Sequence, residues 1–326
     1  MPNHKNLQIP RHFLDTEGNY INAHGGGILY DEGVYYWYGE CRPTGPASLN
    51  ARIGISCYSS KDLFEWKNEG ICLPVVETAG HDLETGCKIE RPKCLYCAKT
   101  RKFVLFWHHD IKGFGHLGAR AGLALADSPT GPFEFVHSFR PWEEIAGSMM
   151  FRDCTAFQDD DGSAYLIFAT DDNANLAICR LNDQYTEITG PCMRFFPGRY
   201  MEAPCLFKRA GYYYLIASDC TSWAPNEARS AVARSILGPW KELGNPCLGE
   251  GAEITFGAQG TYVQPVVGQE DTYLFMADRW KPEALHESEY FWAPITFRKT
   301  VAFWPERPFI QNSPARPPGR VPRCGV

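Results

Sequence analysis

The chain has 326 residues, 44% of them hydrophobic, enough for one large or two ordinary domains with a sizeable core. Its net charge is −6 with no basic block, which points away from nucleic acid as a partner. No run of about 18 apolar residues occurs, which excludes a helical membrane span.

The opening segment, "MPNHKNLQIPRHFLD", has no apolar stretch of the kind a secretory signal needs. The 13 cysteines are odd in number and stand singly along strand-like segments, and no N-x-S/T site is found. That pattern predicts a reduced, cytoplasmic protein with no more than one or two disulfides. A signal trimmed from the chain would instead place it outside the cytoplasm.

His24 to Gly27 spell H-G-G-G, a string that builds half of an oxyanion hole in lipases. The esterase reading also needs a G-x-S-x-G elbow, and the chain has none. The next residues, "ILYDEGVYYWYGE", read instead as strand, tight turn at Asp31-Glu32-Gly33, strand.

That hairpin recurs. "ERPKCLYCAKTRKFVLFWHHD" begins at Glu90, "RDCTAFQDDDGSAYLIFATDD" at Arg152, "MEAPCLFKRAGYYYLIASDC" at Met201, and "FGAQGTYVQPVVGQEDTYLFMADRW" at Phe256. Shorter strand–turn–strand pieces come between them, such as "ISCYSSKDLFEWKNEG", "GLALADSPTGPFEFV" and "SAVARSILGPWKEL". Five units of four strands with almost no amphipathic helix predict an all-β fold, a five-bladed β-propeller around a central channel. A β-sandwich is the alternative, disfavoured by the regular repeat. The propeller is expected to span 1–310, with a Pro-rich tail over 311–326.

In a propeller the first strand of each blade lines the channel, so equivalent strand starts converge. These are His24, Glu90, Asp153, Glu202 and Gln259, with Arg91 and Arg152 beside them. Several carboxylates meeting in one pocket is the layout of a glycosidase, in which one carboxyl is kept protonated for the leaving oxygen. Trp223, with Asn226 and Glu227 after it in "SWAPNEAR", offers a stacking wall for a sugar. Trp37, Trp66, Trp240 and Trp292 fall inside strand patterns and are expected in the core.

Taken together, "AHGGGILY", "ERPK", "RDCTAF", "MEAPCLF", "SWAPNEAR" and "TFGAQGTY" resemble glycoside hydrolase family 43, in its exo-β-1,3-galactanase-like branch. The resemblance implies an inverting mechanism. Glu202 matches the family's general acid, and Asp153 the residue that raises the acid's pKa. The usual first-blade aspartate base is replaced by His24, and Gln259 matches the fifth-blade glutamine of the galactanase branch. Gln259 and Glu90 both stand as candidates to activate the water. Glu40, Arg91, Arg152 and His24 are expected to bind substrate, His24 through a hydrogen bond to the sugar or to another channel residue.

Other signals are set aside. "CLYC" at Cys94–Cys97 lacks a second pair, and "DDDG" at Asp159–Gly162 lacks the glutamate that closes a calcium loop. "HHD" at His108–Asp110 is a string that could bind metal, but it ends a strand facing a loop, so it reads as a sugar contact or a structural element. No metal and no cofactor are expected, and the partner is an oligosaccharide or polysaccharide. The alternatives are a galactofuranosidase or arabinofuranosidase on the same fold, or a sugar-binding propeller without turnover.

Overall fold

The computed structural model describes residues 9–10, 12–45, 52–141, 149–298 and 305–312. Its strands form five sheets, each built from consecutive chain. The first blade holds β1 (His24–Asp31), β2 (Val34–Cys41), β3 (Gly54–Ser60) and β4 (Lys67–Pro74). The second holds β5 (Lys88–Cys97), β6 (Lys102–Asp110), β7 (Ala119–Ala126) and β8 (Glu134–Phe139). The third holds β9 (Cys154–Gln158), β10 (Ala164–Thr170), β11 (Asn175–Leu181) and β12 (Ile188–Phe195). The fourth holds β13 (Met201–Arg209), β14 (Tyr212–Asp219), β15 (Arg229–Ala233) and β16 (Lys241–Gly244).

The last blade has a fifth strand. β17 (Cys247–Leu248) pairs in parallel with β21 (Arg307–Gln311), outside β18 (Gln259–Pro265), β19 (Tyr273–Arg279) and β20 (Glu289–Arg298). The inner strands β1, β5, β9, β13 and β18 touch in that order, and β18 returns to β1. This is the expected five-bladed propeller. Gln311, placed by the sequence in the tail, ends β21 instead, because it pairs with Leu248; 313–326 lie outside the described residues.

Period-2 alternation explains the packing. In β10, "AYLIFAT", every residue is buried. Leu166 and Phe168 face the second blade, whereas Tyr165 and Ile167 face the fourth. A strand covered on both faces reads as a continuous apolar run. The core accordingly divides into five clusters, one at each blade-to-blade interface.

The interface between first and last blades is aromatic. Trp37, Tyr290 and Trp292 meet there, and Phe13 packs on all three. Tyr290 Oη donates to the Ile21 carbonyl at 2.8 Å and accepts from the Ala23 N–H at 2.9 Å. Trp66 is also fully buried in this cluster, while Trp240 lies half-buried against Phe195.

The axis itself is filled. Lys93 is buried, and its Nζ donates to the Gly25 carbonyl at 2.9 Å and the Arg91 carbonyl at 3.2 Å. One disulfide, Cys179–Cys192, joins β11 to β12. The other cysteines among the described residues are free and buried, except the exposed Cys220.

Candidate active site

The inner strands reach the pocket through a repeated backbone device. Just past the site residue the register slips: between His24 and Gly27, Glu90 and Lys93, Glu202 and Cys205, and Gly260 and Tyr262. Gly25, Arg91 and Ala203 adopt left-handed φ of 60°, 57° and 52°. Bulges of this kind re-aim the side chains beside them. At Arg91 and Ala203, which carry a Cβ, the conformation costs about 1–3 kcal/mol each.

The glycines of H-G-G-G serve close packing. A Cβ on Gly25 would lie 2.7 Å from Glu40 Oε1, and one on Gly26 would lie 2.2 Å from the Tyr38 carbonyl oxygen. The string lets β1 close on its neighbours and makes no oxyanion hole.

A cavity of about 480 Å³ opens over the axis. It gathers Glu90, Arg91, Arg152, Asp153, Glu202 and Gln259 from the inner strands, with Glu40 and Trp223 at its wall. Glu202 is the centre of this group. Its Oε1 accepts from Gln259 Nε2 at 2.9 Å and its Oε2 from Asn173 Nδ2 at 3.1 Å. Burial, and then the charge of Asp153, push the Glu202 carboxyl up to about 7, against the pull of Arg91. Asp153 is paired with Arg91 Nη2 at 3.1 Å.

Glu90 has the opposite environment. Its Oε1 meets Arg52 Nη2 at 2.7 Å and its Oε2 lies 3.3 Å from His108 Nδ1. Burial alone would raise this carboxyl, but His108 and Arg52 hold it well below the usual range. Glu40, buried between Arg42 (2.6 Å) and Arg52 (2.9 Å), is raised by burial despite both arginines. Arg152 reaches Asp172 at 2.8 Å on the rim.

Gln259 is committed at every polar atom. Its Oε1 accepts from Arg91 Nη2 at 2.5 Å and Trp280 Nε1 at 3.0 Å. Its Nε2 donates to Glu202 and to Ser218 Oγ at 3.0 Å. Two obligate donors on one side and two acceptors on the other leave a single amide orientation.

Three expected substrate contacts are placed elsewhere. His24 is fully buried behind the pocket, stacked on Tyr290 with ring centroids 5.2 Å apart and 4.0 Å from Asp278. Burial, then Arg42, push it down to about 3, so it is neutral. It occupies the strand start ahead of the Gly25 bulge and turns to the first–last blade interface. Asn226 spends its side chain on its own loop, donating to the Asp219 carbonyl at 2.8 Å and accepting from the Asp219 N–H at 3.0 Å. It borders only a side cavity of about 70 Å³ beside Trp223 and Trp280. Glu227, the next residue, is exposed and lines neither cavity.

Sequence reasoning missed Trp280, Asn173 and Cys220, and gave His108 only a choice between a sugar contact and a structural role; all four line the pocket. Trp280 stands edge-on to Trp223 at 5.5 Å, so two indoles form one wall. A signal was available. His108 and Ser218 are the cross-strand partners of Glu90 and Glu202, while Asp278, opposite Gln259, leads into Trp280. The end of each hairpin's second strand was as informative as the start of its first. "DDDG" forms the turn between β9 and β10, and Cys94 and Cys97 belong to two different interface clusters.

A carboxylate-lined pocket on a five-bladed propeller suits a glycosidase, and residues 24–299 match the glycosyl hydrolases family 43, to which the chain belongs. It is similar, at 43% identity and a TM-score of 0.86, to a GH43 β-1,3-galactosidase solved with galactodeoxynojirimycin, over 93% of this chain and 97% of that one. An exo-β-1,3-galactanase from Phanerochaete chrysosporium, solved with β-1,3-galactotriose, is 34% identical with a TM-score of 0.77, over 87% of this chain and 62% of that one. A β-D-galactofuranosidase from Aspergillus niger is 23% identical over 258 residues, 72% of this chain and 65% of the relative's length. The protein is thus a family 43 glycoside hydrolase related to exo-β-1,3-galactanases and β-1,3-galactosidases.

Proposed function

We propose that this hydrolase is exo-acting and inverting, and that it releases terminal galactose from β-1,3-galactan or arabinogalactan-type chains. The observation that carries the reading is the Glu202 carboxyl, pushed up to about 7 by burial and Asp153, in a pocket that also holds a Glu90 kept well below the usual range. Paired carboxyl groups driven apart in this way suit an acid and a base. The similarity to solved exo-β-1,3-galactanases supports action at a chain end. The similarity to β-1,3-galactosidases supports the choice of sugar.

In the reaction, Glu202 gives its proton to the glycosidic oxygen as the bond to C1 breaks. A water on the opposite face attacks C1 and passes its proton to the base, so galactose leaves with inverted anomeric configuration. Gln259 fits poorly as that base. The imidic tautomer would put a proton on Oε1, where Arg91 and Trp280 already point donors. Glu90 is assigned the role, and Gln259 holds Glu202 and the wall indole in place.

The test is product analysis by NMR on β-1,3-galactobiose, with a galactofuranoside and an arabinofuranoside alongside. Fresh α-galactose from the β-linked disaccharide, absent with Glu202→Gln, is the expected result. Fresh β-galactose would overturn inversion. Turnover of only a furanoside would overturn the sugar.

A further inference from the structure

Beside the pocket lies a cluster in which only His108, through Glu90, has a part in the hydrolytic reading. His108 and Asp110 end β6, and His116 lies in the turn before β7. His108 Nε2 lies 2.9 Å from Asp110 Oδ1, and His116 Nδ1 lies 3.0 Å from Asp110 Oδ2. One ligand atom from each of the three falls within 4.8 Å of the others. His108 and Asp110 are each 1% exposed, so their direction is fixed by packing. His116 sits on a turn at the surface, its side chain 46% exposed.

We propose that His108, Asp110 and His116 form a binding site for a divalent metal of the zinc class at the edge of the pocket.

Two imidazoles and one carboxylate are the donor set of borderline metals and not of calcium or magnesium, which take oxygen shells. A second observation points to a cation. Asp110 Oδ2 is buried and has no hydrogen-bond partner, although it lies 3.0 Å from His116 Nδ1. A buried carboxylate oxygen left without a partner is what a bound cation would satisfy. On the far side of its ring, His108 Nδ1 lies 3.3 Å from Glu90 Oε2 without hydrogen-bond geometry, and Glu90 is held in turn by Arg52 at 2.7 Å. His108 and His116 both line the pocket, which gives an ion a route in and leaves its fourth position toward solvent. The "HHD" string alone does not signal the site, because the third donor comes from a turn rather than the motif. The site also joins a metal to Glu90 through one imidazole, so occupancy would alter the charge facing the substrate.

The test is binding, so it stands or falls apart from the galactosidase reading. The purified protein is stripped with chelator and titrated with cobalt(II), monitored by the visible absorption of a low-symmetry cobalt site. One equivalent is expected to bind and to be displaced by zinc. His116→Ala removes an exposed ligand without touching the core. It is expected to weaken binding by at least the 10–100-fold that loss of an outer partner costs. Asp110→Asn is expected to do the same, and Glu202→Gln to leave binding intact. Absence of saturable cobalt absorption, or equal affinity in His116→Ala and the parent, would overturn the site.

Discussion

Replacing Asp153 by asparagine removes the charge that works against ionisation of Glu202 while keeping nearly the same volume. The Glu202 carboxyl stands at about 7 against an ordinary 4.5, which corresponds to about 3 kcal/mol in favour of the neutral form. Burial is the larger cause and Asp153 the next, with Arg91 pulling the other way. Its loss also frees Arg91, now 3.1 Å from Asp153, to favour the ionised acid, which acts in the same direction. Glu202 must be protonated to work, so activity falls as pH rises through its pKa. Asp153→Asn is therefore expected to move the alkaline limb of kcat/KM to lower pH, by up to about one pH unit. The assay is the pH–rate profile on β-1,3-galactobiose for the two proteins. An unmoved limb, or one moved to higher pH, would refute the electrostatic link between the two carboxyl groups.

Glu202→Gln should cut turnover of unactivated glycosides by about 10²–10⁴-fold and hurt good leaving groups less; equal losses on both would remove Glu202 as the acid. The same variant should gain stability on the wild type as pH rises. The Glu202 pKa lies above its unfolded value, so its contribution is complete below about 4.5 and is lost through about 7. The gap in chemical denaturation should reach up to about 3 kcal/mol by pH 8, and a constant gap from pH 5 to 8 would contradict this. Azide should rescue Glu90→Ala with formation of an α-galactosyl azide, whereas rescue of Gln259→Ala alone would return the water to the fifth blade. Thiol titration of the unreduced, denatured protein should find at least the 10 free cysteines of the described residues, and pairing of most of them would contradict the buried positions.

The fold was legible because each blade is a local stretch of chain whose inner hairpin alternates and turns at Gly, Asp or Lys-rich pairs. Glu32-Gly33, both with positive φ, is one such turn. The converging residues were legible for the same reason, since equivalent strand starts must meet at the axis. What failed was the direction of single side chains. His24 holds the same repeat position as Glu90 and Glu202 but turns into the aromatic interface, and periodicity carries no term for that rotation. Asn226 and Glu227 were read from their nearness to Trp223, while the loop uses Asn226 to hold itself. Trp280 ends the fifth hairpin as quoted from the sequence, but only the starts of the first strands were read as site positions.

Among the described residues, the joint between the first and last blades is one that no strand crosses. Each sheet is made of neighbouring chain, and among the described residues no strand is exchanged between first and last blades. Side chains must therefore fasten a circle that the polypeptide leaves open. Arg91 is among the fasteners: from the second blade it reaches over the first to the Gly260 carbonyl at 2.8 Å and to Gln259. Gly25 does likewise from the first blade, giving its N–H to Asp278 at 2.6 Å. Arg91 and Gln259 thus belong both to the clasp of the ring and to the floor of the pocket. A ligand gripping that floor would bear on the clasp as well, so a bound sugar would resist the parting of first and last blades, and a chain whose joint had sprung would lose its acid's support before it lost a single sheet.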